Sequence, residues 1–335
     1  MLGIKNFHRI FSRNYVGYSF RHLQRLLIVI FLVILTLSLI ISYHARSSSA
    51  SLSSSLPPSS STRIMYVVRT SSKFHRTRLI HSLDTWIPLV KQHVYFVTDT
   101  IIPNVRRENM ILTKRPCPND THQVKDLCCK TAQDFILYHR HENNYDWFCH
   151  LDDDQYVHTK NLEKYLSTLD TNQDYYIGRN SWLRPVGRKK KPFWFGTLGA
   201  GVCLSKSLLN RLKPYTSNVT QFMNGCIREH YPDDIYIGFL VSEHCNQTLT
   251  KQHRFHSHLE RDLYNDSRIF SQTYSKQITF GFRLCDVYSR FLPNFFKSKN
   301  DIFRMRTLHC LLYPHLDVCQ FKLHQFLFNF TEQSK

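Results

Sequence analysis

The segment 147–157 reads WFCHLDDDQYV, an apolar run that stops on three consecutive aspartates, Asp152, Asp153 and Asp154. An apolar run of this kind suits a strand buried on both faces. Open α/β sheets present ligand-binding groups at the C-terminal ends of such strands. Three adjacent carboxylates repel one another, so the cluster is either a solvated turn or a site that a cation shares. Hard oxygen donors suit Mg2+ or Mn2+, ions that commonly bridge to phosphate oxygens. The flanking sequence agrees with a sheet protein. Residues 64–68 are β-branched and aromatic, 74–86 carry helical spacing, and 93–98 form another short apolar run. That β–α–β opening predicts a parallel sheet with crossover helices. Helical patterns at 123–141, 161–169, 206–213 and 235–242, with a strand at 174–178, extend the alternation to a doubly wound α/β domain without internal repeats.

Upstream, residues 26–43 form an uncharged and mostly apolar stretch, just long enough to cross a bilayer core. Lys5, Arg9, Arg13, Arg21 and Arg25 precede it without any acidic residue. This predicts a single-pass anchor with residues 1–25 as a cytoplasmic tail. Residues 44–62 are Ser-rich and include Pro57 and Pro58, the composition of a disordered stem. A lumenal domain at 63–322 and a tail at 323–335 complete the expected layout, that of a type II Golgi membrane enzyme. Five sequons, at Asn119, Asn218, Asn246, Asn265 and Asn329, agree with a secretory location. The chain carries 44 basic and 25 acidic residues, a net +19, which by itself suggests nucleic acid. The anchor and sequons argue against that partner. The ten cysteines are then free to pair in an oxidising lumen.

Three further segments offer chemistry. Asp233 and Asp234 follow Pro232 at the start of a helical pattern, so Asp234 is either a helix cap or a functional carboxylate. His256 and His258 alternate, and one of them faces a given side of an extended segment. Gly199 and Gly201 permit either close approach of backbone to a ligand or tight packing.

Taken together, RTSSKFHRTRL (69–79), WFCHLDDDQYV (147–157), FWFGTLGAGVC (193–203), PDDIYIG (232–238), FHSHLE (255–260) and RTLHCLLYPHLDVC (306–319) occur in the order seen in Fringe-type glycosyltransferases. The chain resembles that family across 63–320. The resemblance implies a GT-A-like single catalytic domain with a central, mostly parallel sheet, preceded by one transmembrane helix and a disordered stem. It implies an inverting transfer of N-acetylglucosamine from UDP-GlcNAc, in β-1,3 linkage, to O-linked fucose on EGF-like repeats, notably of Notch. On the same basis Asp154 and His258 are the expected Mn2+ ligands, and Asp234 the catalytic base. Arg78, Asp153, Thr70, Gly199 and Gly201 are the expected substrate-binding residues. The family's disulfides would pair Cys149 with Cys203, Cys310 with Cys319, and Cys117 with Cys129 or Cys128. Cys226, Cys245 and Cys285 are left without an inferred role.

Three departures bear on substrate choice. The family's T-G-G-A-G is Thr197-Leu198-Gly199-Ala200-Gly201 here, and its P-D-D-C-T becomes Pro232-Asp233-Asp234-Ile235-Tyr236. The loop 183–192 is shorter than usual and carries Arg184, Arg188, Lys189, Lys190 and Lys191. Those basic residues are either a solvated surface or an attraction for acidic acceptor domains. A related β-1,3-galactosyl- or glucosyltransferase therefore stands as the alternative within enzymes. An inactive, lectin-like Golgi protein stands outside them.

Overall fold

Ile64, Tyr66 and Val68 enter one hydrophobic cluster, Met65 and Val67 another, and all five are buried. An apolar residue at every position, rather than at every second one, is what a strand covered on both faces requires. In the computed structural model this strand, β1 (Ile64–Arg69), lies inside a seven-stranded sheet. The structure describes residues 62–113, 117, 121, 123–257, 273–282 and 295–321. β2 (Val94–Thr98) and β4 (Trp147–Asp152) flank β1, both parallel to it, and β3 (Met110–Leu112) lies parallel outside β2. On the other side, β9 (Val202–Ser205) pairs antiparallel with both β4 and β6 (Tyr176–Gly178), and β10 (Leu249–Lys251) lies parallel to β6. The order is β10–β6–β9–β4–β1–β2–β3, so β9 alone of these seven runs against the rest. Two small antiparallel pairs complete the strands: β5 (Gln155–Val157) with β11 (Thr279–Gly281), and the hairpin β7 (Val186–Arg188) with β8 (Lys191–Phe193).

Helices cover both faces. α1 (Val124–His141), α3 (Lys206–Thr216), α4 (Val219–Glu229) and α5 (Asp233–Cys245) bury Phe135, Leu209, Phe222 and Leu240 against Met65, Val67 and Phe148. The helical segment 72–83, α2 (Thr159–Leu166) and α6 (Met305–Leu312) cover Tyr66, Val68 and Leu151 from the other side. This is an α/β fold with a central, mostly parallel sheet. The reversed β9 departs from a purely doubly wound reading of the alternation.

The expected transmembrane helix is corrected by this fold. No helix among the described residues is long and apolar enough to cross a membrane. Even the 18-residue α1 carries Lys125, Asp126, Lys130, Asp134 and Arg140, charges that suit a helix packed on a sheet rather than in lipid. The stretch 26–43 lies outside the described residues, as do the tails at 1–25 and 323–335 and the stem up to residue 61.

Among the described residues there are four disulfides: Cys117–Cys129, Cys128–Cys226, Cys149–Cys203 and Cys310–Cys319. Cys149 and Cys203 are register partners on β4 and β9, so the antiparallel pairing itself brings them together. Cys128 and Cys129 are consecutive on α1 and therefore point about 100° apart, which sends one to residue 117 and the other to α4. Cys245 is buried and unpaired, and Cys285 lies outside the described residues.

Candidate active site at the C-terminal edge of the sheet

Parallel pairing of β1 with β4 sets Arg69 directly beside Asp152 at the ends of the two strands. The Arg69 guanidinium forks. Its Nη2 donates to Asp152 Oδ1 at 3.3 Å, and its Nη1 donates to Asp233 Oδ2 at 2.7 Å and to Thr131 Oγ1 at 2.8 Å. Thr131 in turn donates to Asp233 Oδ2 at 2.7 Å. One part-buried cation therefore holds the acidic end of β4 against the first turn of α5. Burial disfavours its charge, but Asp152 and Asp233 outweigh that and raise the pKa of Arg69 further. Beneath it, His150 contacts Asp134 Oδ2 through Nδ1 at 2.8 Å and Asp152 Oδ1 through Nε2 at 3.3 Å. Burial opposes the imidazolium, yet Asp134 and Asp152 hold the His150 pKa at about 8.

The next two aspartates face a different cation. Thr70 Oγ1 donates to Asp153 Oδ2 at 2.7 Å, and Arg78 Nη1 donates to Asp154 Oδ2 at 3.2 Å while lying 3.8 Å from Asp153. The π-helical turn His75–Leu79 carries Arg78, whose guanidinium lies over the Phe74 ring at 4.0 Å. Asp153 and Asp154 are both buried, and burial is the main reason that each carboxyl is pushed up to about 7. For Asp154 the neighbouring Asp152 and Asp153 add to the shift.

Asp234 sits in the first turn of α5, but Pro232 holds the capping position and makes no side-chain cap. Asp234 Oδ1 accepts from the backbone N–H of its neighbour Ile235 at 2.8 Å, and among the described residues it has no side-chain partner. The capping role is therefore absent. Burial, reinforced by Asp233, pushes Asp234 up to about 7. A helix N-terminus ordinarily favours the carboxylate, and here burial outweighs that pull.

Gly199 lies in the turn Leu198–Ala200 that enters β9, and Gly201 ends it. Gln155 Nε2 donates to the Gly199 carbonyl at 2.8 Å, and Gln155 Oε1 accepts from Asp152 N–H at 2.9 Å. Gly201 has φ of +84°, and a Cβ there would meet the Leu151 side chain at 3.3 Å. Tight packing thus accounts for Gly201, and the Gly199 carbonyl is occupied within the protein. His256 is buried, with Nε2 2.8 Å from Gln277 Oε1. His258 lies outside the described residues, among which no group of three or more His, Cys, Asp and Glu side chains is disposed to hold a metal.

The structure thus gathers Thr70, Arg78, Asp153 and Asp154 in one contact network. Through Asp152 and Arg69 it brings them to the same sheet edge as Asp234. Sequence reasoning missed Arg69, Thr131, Asp134, His150 and Gln155. Arg69 and His150 stand inside quoted motifs and offered a faint signal; Thr131 and Asp134 offered none. A cavity of about 960 Å3 is lined by His75, Ile80, Asp84 and residues 101–106, and it includes none of Asp152, Asp153, Asp154, Asp233 and Asp234. Its size does not make it the site, because the clustered carboxylates lie elsewhere.

Gln155 is completely buried and its two hydrogen bonds are the direct link between the acidic turn and the 198–200 turn. Replacing Gln155 by Leu strands the Asp152 N–H and the Gly199 carbonyl, at about 1–3 kcal/mol for each unsatisfied group. Thermal unfolding of Gln155→Leu should therefore show a clearly lowered Tm. An unchanged Tm would mean that water replaces both bonds.

The Fringe-like family profile matches residues 59–316 of this chain. The β-1,3-N-acetylglucosaminyltransferase lunatic fringe of Danio rerio is 34% identical, with 76% of this chain and 70% of that protein covered. Manic fringe of the same organism is 33% identical, covering 79% and 74%. Fringe glycosyltransferase of Drosophila melanogaster is 31% identical, covering 76% and 63%.

Proposed function

Because this chain belongs to the Fringe-like family and is a glycosyltransferase, we propose that it transfers N-acetylglucosamine from UDP-GlcNAc, in β-1,3 linkage, to O-linked fucose on EGF-like repeats of glycoproteins such as Notch. The observation that carries this reading is Asp234, a half-buried carboxyl raised to about 7, without a capping duty, beside the acidic strand end. A general base works best when its pKa lies near the operating pH. In an inverting transfer the acceptor hydroxyl attacks the anomeric carbon from the face opposite the diphosphate. Asp234 takes the hydroxyl proton as the new bond forms and the bond to the diphosphate breaks. The Arg78 guanidinium, already at the acidic turn, suits one side of that diphosphate. Thr70 holds Asp153 in orientation through its hydroxyl.

The donor set fits a hard cation such as Mn2+. Asp154 offers carboxylate oxygens, and burial, with Asp152 and Asp153 beside it, makes that carboxyl costly to ionise without a cation. Asp154 would hold the ion, with His258 as the second protein ligand. When bound, the ion supplies Lewis-acid neutralisation of the leaving diphosphate. Four disulfides support placement of the domain in an oxidising compartment, and we assign it to the Golgi lumen.

The test is a panel of UDP-sugars presented to the full chain with an O-fucosylated EGF-like repeat, with Mn2+ and with EDTA. Transfer from UDP-GlcNAc that EDTA abolishes is the expected result. Preference for UDP-galactose or UDP-glucose would overturn the donor assignment, and undiminished transfer in EDTA would overturn the metal.

A further inference from the structure

Between Asp174 and Glu229 the chain contains no acidic residue at all. The β7–β8 hairpin lies in that interval and projects Arg188, Lys189 and Lys190 from its tip, with Arg184 just before it; all four are exposed. Among the described residues none of these four has a carboxylate within ion-pair distance. Lys191, by contrast, pairs with Glu243 at 2.9 Å. At the hairpin's approach two large apolar side chains stand in solvent, Trp182 at 55% exposure and Leu183 at 94%. Trp182 is nevertheless placed, with its ring 6.0 Å edge-to-face from that of Phe195. The base of the hairpin is fixed to the active-site helix, because Phe193 and Phe195 form one buried cluster with Ile235, the residue after Asp234. The Lys191–Glu243 pair lies farther along the same helix. Nine residues at 1.5 Å each separate Glu243 from Asp234, or about 13 Å. That span exceeds a monosaccharide held at Asp234 but matches the reach of a polypeptide carrying it.

We propose that the basic hairpin together with Trp182 and Leu183 is a docking surface for an acidic polypeptide that presents the acceptor sugar to Asp234. The proposal rests on the glycosyltransferase reading above and adds to it the chemistry of the acceptor's protein part. Four cations on and just before a projecting hairpin, without an ion-pair partner among the described residues, attract an acidic chain over a range set by ionic strength, and an exposed aromatic beside them supplies the apolar anchor.

The probes are a fluorescent, glutamate-rich peptide bearing one O-fucosyl threonine, and the small acceptor p-nitrophenyl fucoside. Binding of the peptide to the full chain is measured by anisotropy, and transfer to each acceptor is measured separately. Raising NaCl from about 50 to about 500 mM should weaken peptide binding about tenfold, as should the variant R184E/R188E/K189E/K190E at low salt. At fixed salt the quadruple variant should leave the KM for p-nitrophenyl fucoside and for the UDP-sugar unchanged, and raising salt should leave the KM for the uncharged p-nitrophenyl fucoside unchanged. The Trp182→Ala variant should weaken the peptide at every salt concentration. Equal peptide affinity in the quadruple variant and the unaltered protein would overturn the proposal, as would a flat salt profile. If the peptide binds in this salt-dependent way but neither fucoside receives sugar, the docking surface stands and the acceptor-sugar reading falls.

Discussion

Asp234→Asn should lower kcat/KM for transfer by about 10^2 to 10^4, the range that a positioned general base contributes, with the donor KM nearly unmoved. Asparagine keeps the shape and can still accept from the Ile235 N–H, but it cannot take a proton. The pH profile separates loss of the base from loss of structure. In the unaltered protein kcat/KM should rise with pH and level off above about 7, where Asp234 ionises; the variant should lose that limb. The stability prediction runs the opposite way from the activity. Asp234 is raised from 3.8 to about 7 by burial and by Asp233. Between those values the folded chain holds the proton that the unfolded chain has released, so stability falls as pH rises through this window and stays reduced above it. Asparagine lacks that penalty. Asp234→Asn should match the unaltered protein in Tm near pH 4 and exceed it at pH 7.5. A variant that is inactive and also less stable at pH 7.5 would indicate a structural rather than a proton-accepting role.

Arg69→Met should be the most destabilising single change at this edge of the sheet. The side chain is 14% exposed and holds Asp152 and Asp233 at once, with Thr131 completing the second contact. Removing the cation takes its charge from Asp152 and from Asp233, whose side chain is only 6% exposed, and breaking a buried pair from one side costs about 3–5 kcal/mol. Methionine fills most of the volume, so the loss reads as charge rather than as a cavity. Arg69→Lys should recover only part of it, because one ammonium cannot reach both acids with the fork of a guanidinium. Denaturant unfolding of the three proteins should rank them Arg, Lys, Met in falling stability. Near-equal midpoints would mean that Asp152 and Asp233 take up protons without structural cost.

Both predictions concern residues of unequal visibility in the sequence. Asp234 was visible because a Pro-Asp-Asp group before a helical pattern is a local signal, and its two local readings were helix cap and functional carboxylate. The structure removes the first by placing Pro232 at the cap. Arg69 was quoted within a motif but given no role, because its partners lie 83 and 164 residues away. The strand β9 escaped the β–α alternation because a reversed neighbour leaves no periodic mark of its own.

The sequence by itself determined the strands buried on both faces, the acidic end of β4, the helices over α1, α3 and α5, and which cysteines were candidates for pairing. Each of these depends on neighbours a few positions apart, where spacing and side-chain chemistry act directly. Only the tertiary structure decided that β9 runs backwards, that Cys128 reaches Cys226, and that Arg69 and Gln155 tie three separate segments into one edge. It also decided the upward shift of the Asp234 pKa. That depends on how much water reaches the carboxyl and which charges stand beside it, and both are set by packing between distant parts of the chain.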